Sequence, residues 1–93
     1  MSDASLMGHW FSASDTGQGI IERCQRANTR YGPFASTHEA LGVCSEEWDE
    51  LRQAIHENDI KAIKHEALDL AAALIRLHDG LEKGSAMAER SRK

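Results

Sequence analysis

The sequence predicts an all-α fold, a small bundle of three long helices followed by a short C-terminal helix. Its 93 residues include one proline and few β-branched residues, whereas alanine, leucine, glutamate and arginine are abundant. In three stretches, apolar residues recur at steps of three and four, the spacing of one helix face. A chain this short forms a single domain over residues 1–93 and leaves much surface exposed, so it needs a cross-link, a metal or a partner chain.

The first helix is expected to follow an irregular N-terminal arm. Residues 1–15 form this arm, which contains Gly8 and several serines. A helix then runs from about Gly17 to Arg30, and Gly32-Pro33 ends it because proline cannot continue a helix.

The second helix begins with a capping box and the third with an N-cap aspartate. Ser36-Thr37-His38-Glu39 fits the S-x-x-E pattern, in which hydroxyl and carboxylate satisfy free N–H groups of the first turn. Asn58-Asp59 separates the two helices, and Gly80 ends the third before a basic tail over residues 81–93. The apolar stripe of the second helix is Leu41, Cys44, Trp48, Leu51 and Ile55. That of the third is Ile60, Ile63, Ala67, Leu70, Leu74 and Leu77.

The third helix is apolar beyond its stripe, which predicts a homodimer. Further apolar side chains cover most of the circumference around its middle: Leu68, Ala71, Ala72, Ala73 and Ile75. Such a helix is buried on several sides, and three or four helices of one small chain cannot cover it so completely. We therefore expect this helix to pack against a second subunit, in a dimer or in a tetramer of two dimers. The alternative is an alanine run without a partner.

Charge and hydropathy exclude two classes of partner. With 11 Lys and Arg against 15 Asp and Glu, the net charge of −4 argues against nucleic-acid binding. The longest apolar run, residues 70–75, is far shorter than the roughly 20 residues of a membrane-spanning helix. No basic region followed by an apolar stretch marks a secretory signal, and Cys24 and Cys44 lack metal-ligand spacing. These features predict a cytoplasmic protein without a membrane partner.

Two acidic motifs carry the candidate chemistry. The first, E-E-x-x-E, contains Glu46, Glu47 and Glu50, and the second, E-x-x-D, contains Glu66 and Asp69. At roughly 100° per residue, the last two glutamates of the first motif lie about 75° and 135° from the centre of their helix's apolar stripe. Glu66 and Asp69 have the same two offsets on the third helix. In an antiparallel hairpin, these four carboxylates meet at one rim of the bundle.

Four close carboxylates repel one another unless a cation neutralises them. Oxygen ligands without cysteine or histidine favour a hard ion, Mg²⁺ or Mn²⁺, over zinc. The alternative is that both motifs are solvated helix faces. A di-iron or di-manganese bundle is disfavoured because it uses Glu-x-x-His, and no glutamate here has histidine three residues later.

These motifs belong to a longer run of residues with a family resemblance. The run consists of Tyr31-Gly32-Pro33-Phe34, His38-Glu39-Ala40-Leu41-Gly42-Val43, Glu46-Glu47-Trp48-Asp49-Glu50-Leu51 and Glu66-x-x-Asp69. Over about residues 17–80 it resembles the MazG-like nucleoside triphosphate pyrophosphohydrolases, an all-α superfamily. Fifteen residues separate Glu50 from Glu66, which is within the range of the family.

The resemblance implies a reaction and a set of roles. The family cuts a nucleoside triphosphate between the α- and β-phosphates, and it implies a role in nucleotide-pool house-cleaning. By the family pattern, Glu47, Glu50, Glu66 and Asp69 hold Mg²⁺. Glu46, Glu47 and Glu50 are the implied catalytic residues, with Glu46 either a further ligand or the base that orients water.

The residues that would contact the substrate are less clearly marked. Family members carry Lys and Asn or Arg on a downstream helix, and this chain offers Lys83 there without a clear counterpart. Arg76, on nearly the same helix face as Asp69, is the better phosphate candidate, although a surface arginine fits as well. His9 and Trp10 form either a base-stacking platform or an aromatic plug on the bundle. A non-catalytic helical dimerisation or partner-binding module is the competing interpretation of the whole chain.

Overall fold

The computed structural model describes residues 14–82, 85 and 87–88 of the chain. Within this part the chain forms three α-helices and no strand, which confirms the all-α prediction. The helices are α1 at Asp15–Tyr31, α2 at Thr37–His56 and α3 at Ile60–Gly80. Met87 and Ala88 are also helical, whereas the rest of the predicted short C-terminal helix and residues 1–13 of the arm lie outside the described residues.

Side-chain caps begin α2 and α3 at the positions that the sequence predicts. The Ser36 hydroxyl accepts a hydrogen bond from the Glu39 backbone N–H at 3.0 Å. The Glu39 carboxylate in turn accepts from the Ala35 backbone N–H at 3.3 Å, one residue earlier than in a standard capping box. The Asp59 carboxylate accepts from the Ala62 backbone N–H at 3.1 Å and caps α3 in the same way. Both predicted helix starts are confirmed.

α1 begins slightly earlier than the sequence predicts. The Ser14 hydroxyl accepts from the Gly17 backbone N–H at 3.0 Å, so the cap lies three residues before the expected first residue. At the other end, Gly32 has a φ of 75° and donates its N–H to the Asn28 carbonyl at 2.9 Å. This left-handed conformation favours glycine and ends the helix at the predicted place.

α2 and α3 pack as a helical hairpin, and α1 packs against α3. Residues 57–59 connect the hairpin, and Asn58 has a φ of 54°, which asparagine tolerates better than most residues. A connection this short makes the two helices antiparallel neighbours. The arrangement brings the middle of α2 beside the middle of α3, where the two acidic motifs lie.

α2 turns a different face to the core from the one that its apolar stripe predicts. The buried residues are Ala40 and Ala54, whereas Leu41, Trp48 and Ile55 are 62%, 52% and 50% exposed. Small side chains let α2 approach α3 closely, and the bulky stripe is left on the surface of the single chain. Three of the five stripe residues are therefore exposed in the single chain, and Cys44 and Leu51 are half-buried.

α3 differs from its predicted orientation in the same way. Its buried residues are Ala72 and Ala73, whereas Ile60 and Leu74 of the predicted stripe are 68% and 49% exposed. The alanine run thus faces the neighbouring helices, and part of the stripe faces outward. Despite this apolar surface, none of the helices described here combines the length and apolar character that crossing a bilayer requires.

The core of the described chain is small and centred on the loop between α1 and α2. Phe34, Ala40 and Met87 form a buried cluster against which Val43 and Leu77 pack. The Arg76 guanidinium lies over the Phe34 ring, 4.2 Å from its centroid, and covers it from solvent. The loop aromatic therefore packs against residues of α2 and α3.

Phe34→Ala is expected to lower the free energy of unfolding by about 3 kcal/mol, because it removes a buried ring and leaves a cavity. Chemical denaturation measures this change. Tyr31→Ala is the matched control, since Tyr31 is an aromatic residue three positions earlier that is 71% exposed. We expect the control to cost less than about 1 kcal/mol. Equal losses in both variants would contradict the core assignment.

Candidate functional site

Three carboxylates converge between α2 and α3. Glu47, Glu50 and Glu66 each offer an oxygen atom, and these three atoms lie within 4.8 Å of one another. The i, i+3 spacing on α2 places two of them on the side that faces α3. Glu47 and Glu66 are half-buried and Glu50 is exposed, so the cluster opens to solvent at one rim of the hairpin. We call these three residues the carboxylate cluster.

Two oxygen atoms of the carboxylate cluster lack hydrogen-bond partners. Oε2 of Glu47 and Oε2 of Glu66 are buried, and no described group donates a hydrogen bond to either. Buried polar atoms in folded proteins are nearly always paired, because an unpaired one loses its hydration without compensation. A bound cation is one partner that would satisfy these two oxygens.

Burial and mutual repulsion weaken the acidity of the cluster. The pKa of Glu47 is raised from an ordinary value of 4.5 to about 7, first by burial and then by the negative charges of Glu50, Asp69 and Glu66. The pKa of Glu66 is raised by burial and then by hydrogen bonding and charge repulsion from Glu50. Without a cation, burial and repulsion therefore favour the protonated forms of Glu47 and Glu66 more than in a free glutamate.

Asp69 lies beside the carboxylate cluster but has cationic partners of its own. Arg23 of α1 donates its Nε–H to Asp69 Oδ1 at 2.7 Å, between side chains that are 16% and 26% exposed. His65 Nε2 is 3.2 Å from Asp69 Oδ2. Asp69 also forms a second group of close ligand atoms, together with His65 and Glu66. Both its oxygens are thus engaged, and its place among the metal ligands stays a prediction.

Arg76 fastens the end of α1 to α3. Its Nε–H donates to Asn28 Oδ1 at 3.0 Å, and its Nη2 donates to the Gly32 carbonyl at 3.1 Å. The same guanidinium covers Phe34. These contacts give Arg76 a structural role that the sequence did not show, and its predicted contact with phosphate is not tested by them.

A cavity of about 460 Å³ adjoins the carboxylates. Its charged lining consists of Arg23, Arg26, Arg30, Glu47, Asp69 and Arg76. Alanines of α1 and α3 form part of the remaining wall, and their small side chains leave the space open. The cavity therefore places a group of cations directly beside the acidic residues. We call it the arginine cavity.

Sequence reasoning did not identify the three arginines of α1. Arg23, Arg26 and Arg30 stand at i, i+3 and i+7, the spacing of one helix face. That spacing was visible in the sequence, but only the packing of α1 on α3 shows that this face lines a cavity beside Asp69.

The other predicted site residues are not part of this arrangement. Glu46 is exposed and belongs to neither group of close ligand atoms. His9, Trp10 and Lys83 lie outside the described residues.

Comparison of the chain with protein-family models, with curated proteins and with solved structures finds no match. The MazG-like resemblance therefore stays an interpretation of the motifs, and the geometry of the site carries the functional argument.

Proposed function

We propose that this protein is a nucleoside triphosphate pyrophosphohydrolase, which hydrolyses its substrate to the monophosphate and pyrophosphate in the presence of Mg²⁺. The observation that supports this most is the carboxylate cluster with two unpaired buried oxygens, placed beside a cavity that four arginines line. An anionic cluster and a cationic cavity side by side suit a ligand that combines a divalent cation with a polyphosphate.

The residues of the cluster fit a hard divalent cation. All three ligands are carboxylates, the donor type that Mg²⁺ and Mn²⁺ prefer, and Oε2 of both Glu47 and Glu66 lacks a partner that such an ion supplies. Glu47, Glu50 and Glu66 would hold the ion, and Asp69 would join them by exchanging a contact with Arg23 or His65. When bound, Mg²⁺ supplies the positive charge that stabilises negative charge developing on the phosphate oxygens.

The chain's own residues orient the reactants. Glu46 lies one turn before Glu50 on α2 and is exposed, and in this proposal it is the base that orients the attacking water and accepts its proton. The cationic side chains of the arginine cavity offset the charge of the triphosphate, which an acidic chain would otherwise repel. The free thiols of Cys24 and Cys44 suit a reducing compartment, so we keep the cytoplasmic assignment as part of this proposal.

A nucleotide panel tests the proposed activity. Natural and damaged nucleoside triphosphates are incubated with the protein and Mg²⁺, and the products are separated by anion-exchange chromatography. We expect equimolar monophosphate and pyrophosphate from at least one nucleotide, and no product when EDTA replaces Mg²⁺. Diphosphate with orthophosphate would contradict the proposal, and no turnover on any nucleotide would favour the partner-binding module.

Ala72 and Ala73, in the apolar middle of α3 that predicted a dimer through that helix, are already buried within the single chain. We still propose a homodimer, but one that buries the exposed stripe of α2. Leu41, Trp48 and Ile55 recur at intervals of seven residues and are each at least 50% exposed, which is an unusually apolar surface for a lone chain. At micromolar concentration, sedimentation should give twice the chain mass of 10.3 kDa, or four times if dimers pair. Trp48→Glu should shift the protein toward the monomer. A wild-type monomer would contradict this proposal.

A further inference from the structure

The arginine cavity concentrates cations that the rest of the chain lacks. Four of the chain's seven arginines line it, although the chain as a whole has a net charge of −4. Three of them come from one face of α1, at positions 23, 26 and 30. At about 1.5 Å of rise per residue, this row extends about 10 Å along the helix axis from Arg23 to Arg30.

The four arginines differ in whether their guanidinium N–H groups already have partners within the chain. Arg23 is paired with Asp69, and Arg76 is bonded to Asn28 and Gly32. Arg26 and Arg30 form no ion pair with any carboxylate in the described part of the chain. Their side chains are exposed at the cavity, and Arg30 lies over the ring of Tyr31, 5.2 Å from its centroid.

We propose that Arg26 and Arg30 bind the terminal phosphates of a triphosphate chain, an inference that rests on the proposed function. Arg23 already joins this row to Asp69, so the row begins beside the acidic residues and leads away from them. In this proposal the phosphate nearest the acidic residues lies beside Glu47 and Asp69, and the terminal phosphates lie along the row toward Arg30. Each guanidinium offers N–H donors in a planar fork that matches two phosphate oxygens.

The length of the row makes the site selective for polyphosphates. A triphosphate spans more of the row than a single phosphate group does, so it engages more of the guanidiniums. The substrate class is therefore set by the number of phosphates, and the pyrophosphate product is expected to leave from the arginine side. A nucleotide and inorganic tripolyphosphate share this chemistry, which permits a test without hydrolysis of a nucleotide.

Calorimetric titration of inorganic tripolyphosphate into the full chain in the presence of Mg²⁺ tests the inference. Arg26→Gln and Arg30→Gln are each expected to weaken binding about tenfold, because each removes charge-assisted hydrogen bonds, and the double variant more. Arg52→Gln is the matched control. Arg52 is 61% exposed, pairs with Asp49 and lies outside the arginine cavity. Its substitution therefore removes one positive charge from the chain without changing the cavity. We expect the control to bind within about twofold of wild type.

The outcomes separate this inference from the proposed function. Three results would each overturn the inference. The first is that wild type binds no detectable tripolyphosphate, the second that the double variant and the control bind it equally, and the third that wild type binds orthophosphate as tightly as tripolyphosphate. Arginine-dependent binding without turnover of any nucleotide would support the polyphosphate site and overturn the hydrolase. With nucleotide substrate and Mg²⁺, the double variant should raise KM much more than Arg52→Gln does. Circular dichroism checks that both variants stay folded.

Discussion

Glu50→Gln is expected to lower Mg²⁺-dependent pyrophosphate release by at least about 100-fold, because it removes one charge from the cluster proposed to hold the ion. The amide keeps the shape of the side chain, and Glu50 is exposed, so folding should be retained. Steady-state kinetics over a range of Mg²⁺ concentrations measures the effect, with thermal melting as the check on folding.

Asp49→Asn is the matched control for this experiment. Asp49 precedes Glu50, loses its charge in the same way, is 68% exposed and pairs only with Arg52 at 3.5 Å among described residues. We expect its activity to stay within about threefold of wild type. Equal loss in both variants would contradict the assignment of the cluster. Asp69→Asn is a poorer test than Glu50→Gln, since it also disrupts the ion pair with Arg23.

In EDTA, the free energy of unfolding is expected to fall by about 1–2 kcal/mol between pH 5 and pH 8, after discounting for partial solvent screening. The pKa of Glu47 is about 7 in the folded chain against an ordinary 4.5, so the folded state binds more protons between these values. Stability from this group is therefore greatest below pH 4.5, falls as the pH rises toward 7, and changes little above it. Chemical denaturation at several pH values measures the curve.

Glu47→Gln isolates this contribution. The amide has no proton to lose, so the variant should show a smaller fall than wild type, while Glu66 keeps its own raised pKa. The variant should be more stable than wild type at pH 8, but not at pH 5. Mg²⁺ should stabilise wild type at pH 8, because it neutralises the cluster, and should stabilise the variant less. A wild-type pH curve that Glu47→Gln leaves unchanged would show that Glu47 does not titrate in this window.

Local signals predicted the helices and their starts. The hydroxyl of Ser36 and the carboxylate of Asp59 cap α2 and α3 as the sequence indicates, because a cap depends on residues within one turn. The meeting of Glu47, Glu50 and Glu66 was also predictable, since it follows from i, i+3 spacing and a short hairpin connection.

Packing between helices was harder to predict. Periodicity shows which face of α2 is apolar but not what covers it, and Trp48 on that face is 52% exposed in the single chain. The pairing of Arg23 with Asp69 joins residues 46 positions apart and depends on how α1 crosses α3. The same is true of the bond from Arg76 to Asn28, 48 positions away. Neither has a local signal in the sequence.

Hydrolysis in ¹⁸O-labelled water tests the central claim most directly. The chain has no G-x-x-x-x-G-K loop to cradle the β- and γ-phosphates. The family that it resembles attacks the α-phosphorus with pyrophosphate as the leaving group, and this is the reaction proposed for the chain. Mass spectrometry of the products should therefore find the label in the nucleoside monophosphate and none in pyrophosphate. Label in pyrophosphate would place the attack at the β-phosphorus, and labelled orthophosphate would identify a different reaction; either result would contradict the account.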